Sequence, residues 1–167
     1  LGRPYAIYMT LVLGIDPGTA TIGYALVRDL PDGNSQAVGY GVITTPKEAS
    51  APVRLVQLYE RLNEIISLHH PDSAAVEKLF FQKNISTAIT VGQARGVVLL
   101  ALAQAGLEVG EYTPNEVKQA VTGYGSADKK QVQEMVRVLL SLDKIPKPDD
   151  AADALAIAIT HLNTWRY

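Results

Sequence analysis

Leu11-Val-Leu-Gly-Ile-Asp-Pro-Gly-Thr-Ala-Thr-Ile-Gly-Tyr-Ala-Leu-Val-Arg28 decides the class of the fold. The apolar run 11–15 is ended by Asp16-Pro17-Gly18, a strong turn signal, and Ile22 to Arg28 resumes with β-branched and aromatic residues. Two antiparallel strands follow. Pro31-Asp32-Gly33-Asn34 turns the chain again, and Ala37 to Thr45 reads as a third strand. Three meandering strands before any helix do not suit a doubly wound sheet, which begins βαβ.

Outward from there the pattern stays regular. Val53, Val56, Leu58, Leu62, Ile65 and Ile66 recur at helical spacing between Pro52 and His69. Pro71 stops that helix, and Ser73 to Glu77 is a brief buried strand ending on a carboxylate. Asn84 to Gly106 reads as a long helix, apolar on every side from Gly96 to Ala103, so burial on more than one side is expected. Leu107 to Tyr112 is a fifth strand and Pro114 to Val121 a short helix. Ser126 is the expected N-cap of a helix over Ala127 to Leu142, and a last helix runs from Asp150 to about His161. The order βββαβαβααα predicts an α/β fold, a five-stranded mixed sheet flanked by helices. Residues 1–8, ahead of Met9, are read as a leader or cloning remnant, and 9–167 as a single domain.

Composition bounds the function. The chain has 167 residues, 47% hydrophobic and 19% charged, enough for one sizeable core. With no cysteine there is no disulfide framework, thiolate zinc site, iron–sulfur cluster or Cys nucleophile, and a reducing cytoplasm fits. The longest uninterrupted apolar stretch, Val97 to Ala103, is far short of a bilayer span, so no membrane association is expected. Net charge is −2 and the pI about 5.9, so bulk charge argues neither for nor against nucleic acid. Its distribution says more: no acidic residue falls between Glu77 and Glu108, while Lys78, Lys83 and Arg95 do.

Four acidic positions carry the chemistry. Taken singly, Asp16 is a turn residue, Glu77 a solvated strand end, and Asp149 and Asp150 are helix caps. Asp153 resists that account, since it lies beyond the cap among Ala151, Ala152, Ala154 and Leu155. If the first and fourth strands are parallel neighbours, Asp16 and Glu77 project to one edge, where the last helix can bring Asp150 and Asp153, which share a face at i,i+3. Two carboxylates at 4 Å repel by about 4 kcal/mol even at an effective dielectric near 20, so four together demand a cation. Oxygen ligands of this kind select Mg²⁺ or Mn²⁺, and a pair of such ions suits phosphodiester hydrolysis.

At this point the chain resembles a known family. Gly14-Ile-Asp-Pro-Gly18, Val76-Glu-Lys-Leu-Phe80, Gly92-Gln-Ala-Arg-Gly96, Val117-Lys-Gln-Ala-Val-Thr-Gly123, Gly125-Ser-Ala-Asp-Lys129 and the run Asp150-Ala-Ala-Asp to His161 are similar to RuvC, the bacterial Holliday junction resolvases, in order and spacing. The resemblance implies an RNase H-like fold, a homodimer, and Mg²⁺-dependent paired nicking of four-way junction DNA in recombination and repair. It also implies Mn²⁺ as a possible substitute, two ions per site, and a branch-migration motor of the RuvA and RuvB type as partner. By motif, Asp16, Glu77, Asp150 and Asp153 would be catalytic metal ligands. Asp149 competes with Asp150 on spacing, and the family's Asp-Ala-Ala-Asp favours Asp150. Phe80 would stack on junction bases, with Phe81, Lys83, Arg95, Lys118, Lys129 and Lys130 as further DNA contacts.

The residues weigh these roles unevenly. Phe80 and Phe81 could instead be core, the commoner fate of Phe, but exposure is expected for one of the pair, since neighbours diverge in direction and Gln82-Lys83-Asn84 is polar; any one of the lysines could be a solvated helix face. Lys129 lies in the first turn of a helix, where its charge opposes the macrodipole, a placement that a function would explain. His69 and His70 suit a helix end, and His161 lies too far past Asp153 to share its ion. Rival classes fail: the actin and sugar-kinase phosphate motif needs a second domain, and Tyr24 stands where a P-loop requires Lys. A junction-binding module without catalysis, or a resolvase of the YqgF type, is the remaining alternative.

Overall fold

The computed structural model describes residues 9–78 and 84–165. Among the described residues five strands form one sheet: β1 (Leu11–Asp16), β2 (Thr21–Asp29), β3 (Ser35–Thr44), β4 (Ser73–Glu77) and β5 (Glu108–Tyr112), in the spatial order β3-β2-β1-β4-β5. β1 pairs antiparallel with β2, and β2 with β3, while β4 runs parallel to both β1 and β5. The mixed sheet therefore has the meandering and parallel halves expected, joined at β1.

Alternation along the strands sorts the side chains onto two faces. Leu11, Leu13, Ile15, Ile22, Leu26, Ala74 and Val76 pack against α1 (Ala51–His69) and α2 (Ile85–Gln104). Val12, Ala25, Val27 and Ala75 pack on the opposite face against α5 (Asp149–Thr164), with α3 (Pro114–Thr122) and α4 (Lys129–Leu139) flanking it. By the same period of two, Asp16 in step with Val12 and Glu77 in step with Ala75 belong to the α5 face.

Two expectations are corrected. The helix enclosed on all sides is α5, buried from Ala151 to Leu162 save for Asp153. In α2 only Ala94, Val98, Ala101 and Leu102 are buried, and Ile85, Ile89 and Leu100 stay exposed. By length and composition α2 could cross a membrane, at a mean hydropathy of 1.5. Its inward stripe instead covers the sheet, and it carries an ion-paired Arg95. The N-cap of α4 is Asp128 rather than Ser126, because Asp128 and Gln131 close a reciprocal capping box, each side chain taking the other's backbone N–H at 2.8 Å.

Glycine and alanine set how closely α5 lies on the sheet. A methyl group at Gly14 would overlap the Ala154 carbonyl and the Ala158 side chain, and one at Gly23 would overlap the Asp150 carbonyl. No side chain larger than hydrogen fits at either position, so β1 and β2 admit the first half of α5 at near backbone contact. That approach fixes the height at which Asp150 and Asp153 meet Asp16.

Candidate metal and phosphodiester site

The last β1–β4 partners are Ile15 and Val76, so Asp16 and Glu77 stand side by side one residue further on. Both project toward α5, whose first two turns supply Asp150 and Asp153. One carboxylate oxygen from each of Asp16, Asp150 and Asp153 lies within 4.8 Å of the others. Glu77 joins from the strand side, next to Asp16 at the neighbouring strand end and close enough to raise its carboxyl. It also lines a cleft of about 280 Å³ with Asp16, Thr19, Lys78, Arg95 and Pro114.

The charges in this cluster are not balanced from within. Burial, then Glu77 and Asp153, push the Asp16 carboxyl far above the ordinary carboxylate range. Glu77 is raised by burial and by Asp153. Asp153 is raised by burial as well, against the lowering pull of Lys129. Half-buried carboxylates held at this separation without enough positive charge form a donor set fitted to a hard divalent cation. The positive end of α5 offsets only part of their repulsion. The acidic cluster is thus a candidate divalent-metal site.

Asp149 takes a different part. Its carboxylate accepts from Gln133 Nε2 at 3.1 Å and pairs with Lys129 and Lys147, each at 3.3 Å, which hold it below the usual carboxylate range. It stays outside the cluster that Asp150 joins. Lys129 also reaches Asp153 at 3.9 Å, and those acidic neighbours keep its ammonium group charged beyond the ordinary lysine range. Its position at the first residue of α4 is thereby compensated. The two helix starts meet, and Asp149 anchors the lysine beside the carboxylates.

The cations read from the sequence divide by location. Lys118 and Lys129 line a second cleft with Glu77, Asp153 and Pro114. Lys130 faces a separate groove with Tyr124, Asp128 and Glu134. Arg95 points inward: its Nε donates to the Glu77 main-chain carbonyl at 3.3 Å and its Nη2 pairs with Glu111. Phe80, Phe81 and Lys83 lie outside the described residues. Sequence reasoning missed Glu111 and the anchoring by Asp149. It also missed Arg54, which bridges Thr45 Oγ1 at 3.1 Å and the Thr19 carbonyl at 2.9 Å, tying α1 to the loop that follows Asp16.

His161 belongs to a different place. It is fully buried, with Nε2 3.0 Å from Ser73 Oγ and Nδ1 2.8 Å from the Tyr112 hydroxyl, at the far end of β4 from Glu77. Burial pushes its imidazole down to about 4.

Comparisons with known proteins bear on the family and the fold. Residues 12–161 match the family described as crossover junction endodeoxyribonuclease RuvC. A protein of that name from Chloroflexus aggregans is 62% identical over 153 residues, covering 91% of this chain and 92% of the relative. The structure of Thermus thermophilus RuvC in complex with Holliday junction substrate superposes with a TM-score of 0.88 at 37% identity, over 93% of this chain and 94% of that one. The yeast mitochondrial Holliday junction resolvase shares the fold, with a TM-score of 0.68 at 14% identity over 93% of this chain and 78% of that one. The α/β architecture is RNase H-like.

Proposed function

The chain belongs to the RuvC family of crossover junction endodeoxyribonucleases, and from that premise we propose that it resolves four-way DNA junctions by paired, symmetrical nicks through metal-assisted phosphodiester hydrolysis. The observation that carries the reading is the convergence of Asp16, Asp150 and Asp153 within 4.8 Å, with Glu77 beside Asp16 at the end of the neighbouring strand. These four carboxylates are the proposed ligands, Mg²⁺ the proposed ion with Mn²⁺ as substitute, and two ions the proposed complement. Bound there, such ions would supply Lewis-acid chemistry, lowering the pKa of a water and neutralising charge on the leaving oxygen.

The protein's own groups do the positioning. The carboxylates stand on a strand pair and a helix packed at near backbone contact, so their separation is held by rigid elements rather than loops. Lys129, anchored by Asp149, and Lys118 across the same cleft present ammonium groups to the non-bridging oxygens of the strand being cut. Phe80 and Phe81 are proposed to stack on bases opened at the exchange point, a contact worth about 1–3 kcal/mol per base, with Lys83 and Lys130 as outer phosphate contacts.

Two cuts related by a two-fold axis call for two sites so related, which supports a homodimer. α2 supports it too: Ile85, Ile89 and Leu100 form one exposed stripe with Gly92 and Gly96 between them. A methyl group at Gly96 meets nothing within 4 Å, so packing inside one chain gives no reason for a residue that costs about 1 kcal/mol in a helix. A second copy's helix approaching there does. A branch-migration motor of the RuvA and RuvB type is the proposed further partner, and the cytoplasm the proposed compartment.

The test is a synthetic immobile four-way junction, with and without Mg²⁺, beside a linear duplex. Paired nicks at symmetry-related positions of the junction alone, and only with the ion, are expected. Tight junction binding in Mg²⁺ without cleavage would reduce the protein to a binding module.

A further inference from the structure

Arg95 stands in Gly92-Gln-Ala-Arg-Gly96, in a stretch of chain that lacks acidic residues, so the sequence points it at DNA. The structure turns it the other way. Its side chain is 17% exposed, its Nε donates to the Glu77 main-chain carbonyl at 3.3 Å, and its Nη2 pairs with Glu111 on β5. Glu111 is the register partner of Val76, one step before the Glu77–Tyr112 pair. It is out of step with Gly110 and Tyr112, which face α5 and His161, so its side chain belongs to the α2 face. Arg95 therefore crosses from α2 to the ends of β4 and β5, forming the α2 side of the cleft it shares with Asp16 and Glu77.

That is the place where β4 most needs support. The β1–β4 ladder ends at Ile15 and Val76, so the Glu77 carbonyl lies past the last rung on that side. On the other side Lys78 N still donates to the Tyr112 carbonyl at 2.8 Å. We propose that Arg95, clamped by Glu111, is a positioning residue for Glu77: by holding the main-chain carbonyl from the α2 face, it sets where the carboxylate stands on the α5 face. The guanidinium suits this because its rigid fork reaches a carbonyl and a carboxylate at once, which a lysine ammonium on a flexible stem does not reproduce. A DNA-contacting arginine would have no use for Glu111, which neutralises it.

The proposal rests on the reading of Glu77 as a metal ligand, and its test separates the two. Mn²⁺ binding is measured by calorimetry on Arg95→Lys, Arg95→Ala, Glu111→Gln and Glu77→Gln, and junction affinity is measured against salt in EDTA. Arg95→Lys and Glu111→Gln are each expected to weaken Mn²⁺ binding roughly 10–100-fold, the usual effect of losing a group that orients a ligand. The salt slope of junction binding should stay unchanged. Glu111 is a half-exposed surface residue, so its variant remains informative if Arg95→Ala fails to fold. Unchanged Mn²⁺ affinity in Arg95→Lys and Glu111→Gln, with weakened affinity in Glu77→Gln, overturns the proposal alone. So does a salt slope lowered by about 0.9 in Arg95→Ala together with tighter junction binding in Glu111→Gln. Unchanged Mn²⁺ affinity in Glu77→Gln removes the ligand reading and the proposal with it.

Discussion

α5 and β4 run side by side in opposite directions, and polar side chains meet at both ends of the pair. At one end Ser73 from β4 and Tyr112 from β5 enclose His161. A neutral imidazole has one donor and one acceptor nitrogen, two hydroxyls can serve both, and the group is complete without water or ions. At the other end Glu77 from β4 meets Asp150 and Asp153 from α5 and Asp16 from β1, all acceptors when ionised, and burial lifts Asp16, Glu77 and Asp153 above their ordinary range. The same two elements thus carry one satisfied cluster and one that needs something brought in. What marks the site is the unbalanced sign of its charge, since both ends bury polar atoms.

The largest effect is expected where that imbalance is reduced. Asp16→Asn should bring junction nicking to background while leaving junction binding intact or tighter, because a charge that repels phosphate is lost. In the absence of divalent ions the variant should also melt higher than the parent, since folding obliges Asp16 either to take up a proton or to hold a buried charge beside Glu77 and Asp153, and an asparagine does neither. Conversely, an ion at 100 times its dissociation constant stabilises the parent by about 2.7 kcal/mol, and this increment should shrink in the variant. Nicking, junction affinity and melting with and without Mg²⁺ check the three parts. Equal loss of binding and cleavage would make Asp16 structural and erase the contrast between the two ends.

How much of this was legible in the sequence follows from the same contrast. The antiparallel β1–β2–β3 pairing was readable from turn signals and a period of two, whereas the β1–β4 adjacency that puts Asp16 beside Glu77 entered only as a condition, because a parallel pairing between distant segments leaves no local pattern. Asp150 and Asp153 were readable because three residues apart on a helix is one face. The enclosed helix was misassigned, since α2 and α5 are both rich in apolar residues and only the sheet decides which is covered twice. Small residues were the missed signal: Ala151, Ala154 and Ala158 against Gly14 and Gly23 let α5 settle where a leucine-rich helix could not. Asp149 and Lys129 were each read against their own helix dipole, and their pairing appears only when two helix starts meet. Arg95 looked free because its acid, Glu111, comes from a strand later in the chain.

The satisfied end should show itself in the pH dependence of stability. His161 is held neutral in the fold, down to about 4, and titrates near 6.5 in the unfolded chain. Between those values the unfolded state binds more protons, so stability falls as pH drops from about 6.5 to about 4 and the contribution levels off below. The full loss is roughly 3 kcal/mol at 1.36 kcal/mol per pKa unit. Urea unfolding at intervals from pH 7 to 4 checks it, with His161→Gln as reference, because carboxylates titrate in both proteins and cancel in the difference. An identical slope in the two would mean that this histidine is not kept neutral by the fold.

The smallest effect tests the rim of the unbalanced end, where two lysines share a cleft on different terms. Lys129 is tied to Asp149 and Asp153, so part of its charge is already answered within the protein. Lys118 lines the same cleft from α3 and is the cation better placed to exchange water for phosphate. A single phosphate contact releases about one counterion, so Lys118→Ala should weaken junction binding and lower the slope of log K against log salt by about 0.9. Lys130, in its separate groove, supplies the control, and Lys130→Ala should change the slope less. Equal slopes for the two variants would place the DNA backbone elsewhere and leave the cleft between Lys118 and Lys129 without its proposed occupant.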